Sequence, residues 1–279
     1  VKYRIVVDSC GELPEKQKQD EHFASVPLTL RVNGEEIADD GHMSCRDLVE
    51  KIAADPDCPK SACPSPEAYL RAYDCGADHI YCLTLSAELS GSYQSAVIGM
   101  NLYLEDHPDA KIHVFNSVSA SIGESIPALM IEQMEEKGLD FEEIVRRIEE
   151  YLPQKQTLFV LDNLETLRKN GRLSRMKAIA ATILKIKPVC YGTPEGTIGQ
   201  LDQARGINKA IQKMVGYAVE RTPDPENRIL GITHCNCPDR AEIVKNALLE
   251  RMKVKDVYVL ETGGVSTLYA NDGGIIVVI

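Results

Sequence analysis

The strongest constraint on this chain is a pattern that recurs three times in its first half. An apolar run ends in a polar pair or triplet and leads into a helix. Residues 2–7 run into Asp8-Ser9, residues 79–85 into Ser86 and Ser90, and residues 111–115 into Asn116-Ser117. Short apolar runs of this kind read as buried strands, and strands alternating with helices build a parallel sheet. In such sheets a ligand sits beyond the carboxyl ends of the strands, so three serine-bearing ends converge on one crevice. Ser, Asn and Asp are also ordinary turn residues, which is the plainer account of each end taken singly.

The middle strand end is the richest. A turn carrying Ser86, Ser90, Gly91 and Ser92 leads to a helix that opens near Tyr93, with Ala96, Val97, Met100 and Leu104 on the same face. The first turn of a helix leaves N–H groups without partners, and its dipole favours an anion or a polar oxygen. Gly91 lets the backbone come close to an occupant, and the hydroxyls both donate and accept. The competing reading is that Ser90 or Ser92 only caps the helix.

The rest of the first half is consistent with an α/β domain. Residues 25–32 are extended and broken by Pro27. Ser44 caps a short helix over 44–53, and residues 55–66 form a loop with four prolines in which Pro66 opens the next helix. Asp140 and Glu143 form a capping box for an amphipathic helix that Pro153 stops, which puts a domain boundary near residue 155. Residues 156–279 then read as a strand over 157–161, a hairpin around Pro194-Glu-Gly196, and alternating helices and strands to an apolar last strand, an α+β domain with a mixed sheet.

Charge and cysteine usage exclude several functions. At 279 residues and a net charge of −11, the chain is not a general binder of nucleic acid or anionic membrane. No apolar run is long enough for stable membrane insertion, and no secretory leader is expected. Nine scattered cysteines are expected as free thiols of a cytoplasmic protein, with Cys58/Cys63 and Cys235/Cys237 the only close pairs and neither a zinc pattern. From Arg168 to Lys187 there are seven basic residues and no acid, a local inversion suited to an anionic ligand or acidic partner. Arg172, following Gly171, is the residue placed to reach over a crevice. Phosphate-loop, dinucleotide, nucleophile-elbow and zinc-protease motifs are missing. Ser90, His234 and Asp8 are parts of a triad that no spacing selects.

These strings resemble the DegV family of fatty-acid-binding proteins. The resemblance runs through Asp8-Ser9, Val26-Pro-Leu28, Lys60-Ser-Ala-Cys-Pro-Ser-Pro66, Leu89-Ser-Gly-Ser-Tyr-Gln-Ser-Ala96 and Asn116-Ser117, then 164–174, Ile186-Lys-Pro188 and Arg205-Gly206. It implies two domains, 1–155 Rossmann-like with a parallel sheet and 156–279 closing over a bacterial long-chain fatty acid such as palmitate. The carboxylate is then expected at Ser61, Ala62, Ser90, Gly91, Ser92 and Arg172, with no metal, no cofactor and no catalytic residue. It also implies service to the ATP-binding subunit of a fatty acid kinase; Arg205, in a second matched segment, is the residue expected to be exposed and to serve that partner. Two departures stand out: Ala62 replaces a family serine, and aligning on the last strand puts Leu268 at a family histidine and Ala270-Asn-Asp272 at the following G-P-G. The alternatives are a hydrolase or transferase of a small acyl substrate, using Ser90 or a cysteine, and a binder of sugars or phosphates at the same helix start.

Overall fold

The computed structural model describes residues 1–173 and 185–279. Strand β1 (Tyr3–Asp8) is followed by helix α1 (Glu15–Lys18), strands β2 (Phe23–Val26), β3 (Thr29–Val32) and β4 (Glu35–Ala38), and helix α2 (Cys45–Ala53). Then come β5 (Lys60–Ala62), α3 (Pro66–Tyr73), β6 (His79–Thr84), α4 (Ser92–Asp106), β7 (Lys111–Asn116), α5 (Ile122–Glu136) and α6 (Phe141–Tyr151). The order β2-β1-β6-β7 makes a sheet in which every neighbouring pair is parallel. Side-chain alternation sets the layers. Ile5, Val7, Tyr81, Leu83 and Phe115 pack with the apolar residues of α5 and α6, whereas Val6, Ile80, Cys82 and Val114 pack with those of α3 and α4. Both faces are covered, which is why these strands read as continuous apolar runs.

The extended stretch at 25–32 divides between two sheets. Pro27 offers no N–H to continue a ladder, and β3 leaves the parallel sheet to form the antiparallel order β4-β3-β5. This small sheet and α2 make a cap spanning residues 29–62.

The second half contains β8 (Thr157–Val160), α7 (Glu165–Lys169), β9 (Ile186–Gly192), β10 (Ile198–Arg205), α8 (Ile207–Glu220), β11 (Ile229–His234), α9 (Pro238–Leu249), β12 (Asp256–Glu261), α10 (Gly264–Ala270) and β13 (Ile275–Val278). Its sheet, β10-β9-β8-β13-β11-β12, is mixed: β11–β12 is parallel and the other pairs are antiparallel. Helices α8 and α9 bury one face. On the other, Ile229 and Val278 meet Ile122 and Ile126 of α5, and a Cβ at Gly231 would lie 2.8 Å from both isoleucines. The chain is therefore α/β with one parallel and one mixed sheet.

Three local expectations need correction. Asp140 makes no side-chain cap bond, and the Glu143 carboxylate turns to Arg147 (2.6 Å) and Arg146 (2.8 Å) instead of the Asp140 N–H, so no capping box forms. Helix α4 begins at Ser92 with Gly91 as its N-cap residue. Helix α10, unmarked in the sequence, and α5, expected only as a helix after Asn116-Ser117 with no bounds, are central to the site. Among the described residues no helix is long and apolar enough to cross a membrane.

Candidate functional site

A cavity lies between the carboxyl ends of the parallel sheet and the face of the mixed sheet opposite α8 and α9. The loops after β1, β6 and β7 contribute Cys10, Leu85, Ser90 and residues 118–121, as strand-end geometry requires. The facing wall is Phe159, Leu161, Leu167, Ile198 and Ile276, with Val265 and Tyr269 from α10 and Leu28 and Ser61 from the cap region. Most of this lining is aliphatic or aromatic. A long apolar chain placed there would lose contact with water along its whole length, each methylene contributing about 0.8 kcal/mol.

Polar groups gather where the cap meets α10. Ser61 Oγ and the Tyr269 hydroxyl are 2.9 Å apart. The Arg172 guanidinium stands 5.9 Å over the Tyr269 ring and donates from Nε to the Leu89 carbonyl at 3.1 Å, and it also reaches the Asn170 carbonyl. Next to Leu89, Ser90 Oγ contacts Ser92 Oγ at 3.0 Å and accepts from the Ser92 N–H at 3.2 Å. Two serines, a tyrosine and an arginine thus border one end of an apolar space, with donors enough for a carboxylate or another small anion.

Of the residues singled out from sequence, the structure brings Ser61, Ser90 and Arg172 to this cavity. Ala62, Gly91 and Ser92 are not among its lining residues. Ala62 is exposed and pairs with Thr29 in the cap sheet. Gly91 packs against Cys63, whose sulfur would stand 3.0 Å from a Cβ there. Ser92 is fully buried behind Ser90. Arg205 is exposed on β10. Within the basic run, Arg168 pairs with Glu165 and Lys187 with Asp162, while Ser174, Arg175 and Lys177 lie outside the described residues. Tyr269 was missed. Leu268, aligned with the family histidine, is buried among Leu28, Leu30 and Val265, and its neighbour Tyr269 faces the cavity.

The turn into α5 is strained. Val118 and Ser121 adopt φ of 47° and 57°, unusual for non-glycine residues and for a β-branched one in particular. Both line the cavity. Ser121 is held in place by its hydroxyl donating to Glu12 at 2.7 Å and contacting the Thr233 hydroxyl at 2.7 Å. Glu12 also accepts from the Gly263 N–H at 3.1 Å, and Asp39 accepts from the N–H groups of Gly264 and Val265, both at 2.9 Å. Carboxylates of the first half thus hold the start of α10 in the second.

Behind this turn lies a group of buried acids. Asp8 accepts from the N–H groups of Leu85 (2.9 Å) and Cys10 (3.0 Å), yet desolvation pushes its carboxyl up to about 7. Desolvation likewise lifts Glu12 to about 7 and Glu124 well above the usual carboxylate range. Both Glu124 oxygens lack a hydrogen-bond partner among the described residues. Ligand atoms of Asp8, Cys10 and Glu124 lie within 4.8 Å of one another. That spacing would suit a cation, but burial favours the protonated form of all three groups, so the trio reads as two buried carboxyls beside a thiol.

Neither a triad nor a zinc site assembles from the earlier candidates. His234 Nδ1 accepts from the Cys237 N–H at 3.2 Å, Asp8 is taken by backbone donors, and Ser90 faces Ser92. Cys58 contacts Asn170 and Cys63 contacts Ser95. All nine cysteines are free.

The sheets and the apolar cavity between them define an α/β ligand-binding architecture, and sequence comparison agrees with it. The profile of the DegV family, described as an uncharacterised protein family, matches residues 2–279. The chain belongs to the DegV family. A DegV domain-containing protein of Streptococcus pneumoniae is 35% identical over 260 residues, covering 91% of this chain and 89% of its own. A DegV family crystal structure from Ruminococcus gnavus, refined with vaccenic acid, is 48% identical with a TM-score of 0.96 and covers 100% of this chain and 99% of that one. The Streptococcus pneumoniae Fatty Acid Kinase (Fak) B3 protein loaded with linoleic acid is 33% identical, with a TM-score of 0.89 and coverage of 100% and 99%.

Proposed function

We propose that this chain binds a long-chain fatty acid between its two sheets and carries it as a non-catalytic protein. The observation that carries the reading is the cavity itself: an apolar wall drawn from both halves, with Ser61, Ser90, Tyr269 and Arg172 at one end. The carboxylate sits among those four groups, and the acyl chain lies along Leu28, Leu85, Phe159 and Ile276. Ala62, Gly91 and Ser92 support from behind, Gly91 and Ser92 by setting the turn that presents Ser90. The fatty acids bound to the two solved relatives and the kinase association of one support this assignment. Residues 1–155 and 156–279 act as the two jaws.

Palmitate is a suitable occupant, and an ATP-binding kinase subunit is the partner to which the carboxylate would be shown. The cytoplasm, a reducing compartment, suits nine free thiols. The test is mass spectrometry of the organic extract of denatured protein. A fatty acid of about sixteen carbons in near-equal amount to protein is expected, because burying that many methylenes should retain it through purification. Recovery of sugar phosphates in its place would overturn the assignment.

A further inference from the structure

Outside the cavity, two cysteines far apart in sequence meet. Cys45 Sγ and Cys235 Sγ are 3.8 Å apart, neither bonded to the other nor to any other cysteine. They come from opposite halves. Cys45 is the first residue of α2, in the cap, and Cys235 follows β11 in the mixed sheet. Three features prepare Cys45 to react. It sits at the positive end of a nine-residue helix. The Thr262 and Thr267 hydroxyls lie 3.5 and 3.4 Å from its sulfur. A cleft whose charged lining is Glu12, Glu15, Lys18, Asp39, Asp40 and Glu261 touches it, leaving Cys45 buried but 6% exposed, whereas Cys235 is fully buried.

We propose that Cys45 and Cys235 are a modification site at which a hydroperoxide entering the acidic cleft forms a disulfide, fastening the 29–62 cap to the second half. The Cys45 thiolate attacks one peroxide oxygen and breaks the O–O bond. The products are a sulfenic acid on Cys45 and the leaving oxygen, hydroxide from hydrogen peroxide or alkoxide from an organic hydroperoxide, which takes a proton to become water or an alcohol. Cys235, giving up its proton, attacks that sulfur and expels the second hydroxide as water. Two thiols lose two electrons and one peroxide gains them. The sulfurs need only close from 3.8 Å to about 2 Å. Donation from Cys235, and then from the threonine hydroxyls, lowers the Cys45 thiol from its usual range, while Cys235 is pushed up. The five acids around the cleft, against the single Lys18, do not favour a thiolate, but they select the oxidant: a neutral peroxide enters where anionic thiol reagents are repelled.

The disulfide adds a covalent tie to contacts the cap already makes, Asp39 to the start of α10 and Ser61 to Tyr269. On the fatty-acid reading, the oxidised protein is the form that keeps its ligand, since Ser61 can no longer swing away. The chemistry itself does not depend on that reading.

The test uses the full chain carrying Cys237→Ser, because Cys235 and Cys237 share one tryptic peptide. Equimolar hydrogen peroxide is followed by alkylation, peptide mapping and amide hydrogen exchange. The expected result is one dominant linked pair, Cys45 to Cys235, reversed by dithiothreitol, with exchange across 29–62 slowed about tenfold or more. Cys45→Ser and Cys235→Ser should each abolish the link and the slowing; agreement of the two guards against a folding defect in either. Oxidation confined to Cys63 and the other accessible thiols would overturn the proposal. So would a Cys45–Cys235 link that leaves exchange in the cap unchanged.

Discussion

Removing the tyrosine hydroxyl at the polar end of the cavity tests the headgroup assignment most directly. Tyr269→Phe keeps the ring beneath Arg172 and deletes only the group 2.9 Å from Ser61. A hydrogen bond to a charged acceptor contributes about 1.5–3 kcal/mol. Ser61 and Tyr269 are both half-buried, and partial hydration favours the lower part of that range. The expected loss is then roughly 10- to 30-fold in Kd for palmitate. Ser61→Ala should cost about the same. Because the two hydroxyls touch, the double variant should lose less than the sum, by about 0.5–1 kcal/mol. Displacement of a fluorescent fatty acid reads these numbers, and hexadecanol, with the same chain and no charge, serves as the control. If both groups hold a carboxylate, hexadecanol affinity should change less than about threefold. Equal losses for the acid and the alcohol, or full additivity, would refute the reasoning.

Other outcomes follow from the same geometry. Arg172→Ala should lower affinity for palmitate by tenfold or more, because a partly buried guanidinium leaves its partners unpaired, whereas Arg205→Ala should leave it unchanged and slow only kinase association, less so at high salt. Asp39→Ala should destabilise the protein by about 1–2 kcal/mol in urea unfolding, since two N–H groups at the start of α10 lose their acceptor. Folded-state pKa values raised above unfolded ones mean that the native state binds more protons at intermediate pH. Asp8 and Glu12 should therefore make stability fall as pH rises from about 4 to about 7, with a slope of about 1.4 kcal/mol per unit for each proton. Glu124→Gln should stabilise the protein more at pH 8 than at pH 5; a shift independent of pH would mean that Glu124 is charged in the native state.

The strands, and the convergence of their ends, were legible because the parallel strands are buried on both faces and read as uninterrupted apolar runs. Helix α5 was expected after Asn116-Ser117 but its extent was not legible, for the same kind of reason: twelve of its fifteen residues are buried, Glu124, Ser125, Glu132 and Glu135 among them, so no polar face marks its period. Helix α10 has seven residues and begins with two glycines, 263 and 264, whose N–H groups are held by acids more than two hundred positions away. No local signal reports such a cap, and Tyr269 went unnoticed with the helix that carries it. Ser61, Ser90 and Arg172 were visible because each sits in a short string with turn chemistry of its own. The cap sheet was hidden by its brevity, with three strands of four residues or fewer.

The cavity wall is built from side chains that elsewhere in the molecule would be core. Leu28, Phe159 and Leu161 are each less than a tenth exposed, yet they face an interior space as well as neighbouring side chains. A bound acyl chain would therefore act as the missing part of the protein's own interior, and the loaded protein would be the completely folded one. Supply then becomes a determinant of abundance: in cells starved of fatty acid the empty form should open more often and be degraded faster. A pulse-chase measurement of its half-life with and without added palmitate would show whether the lipid sets the lifetime of its carrier.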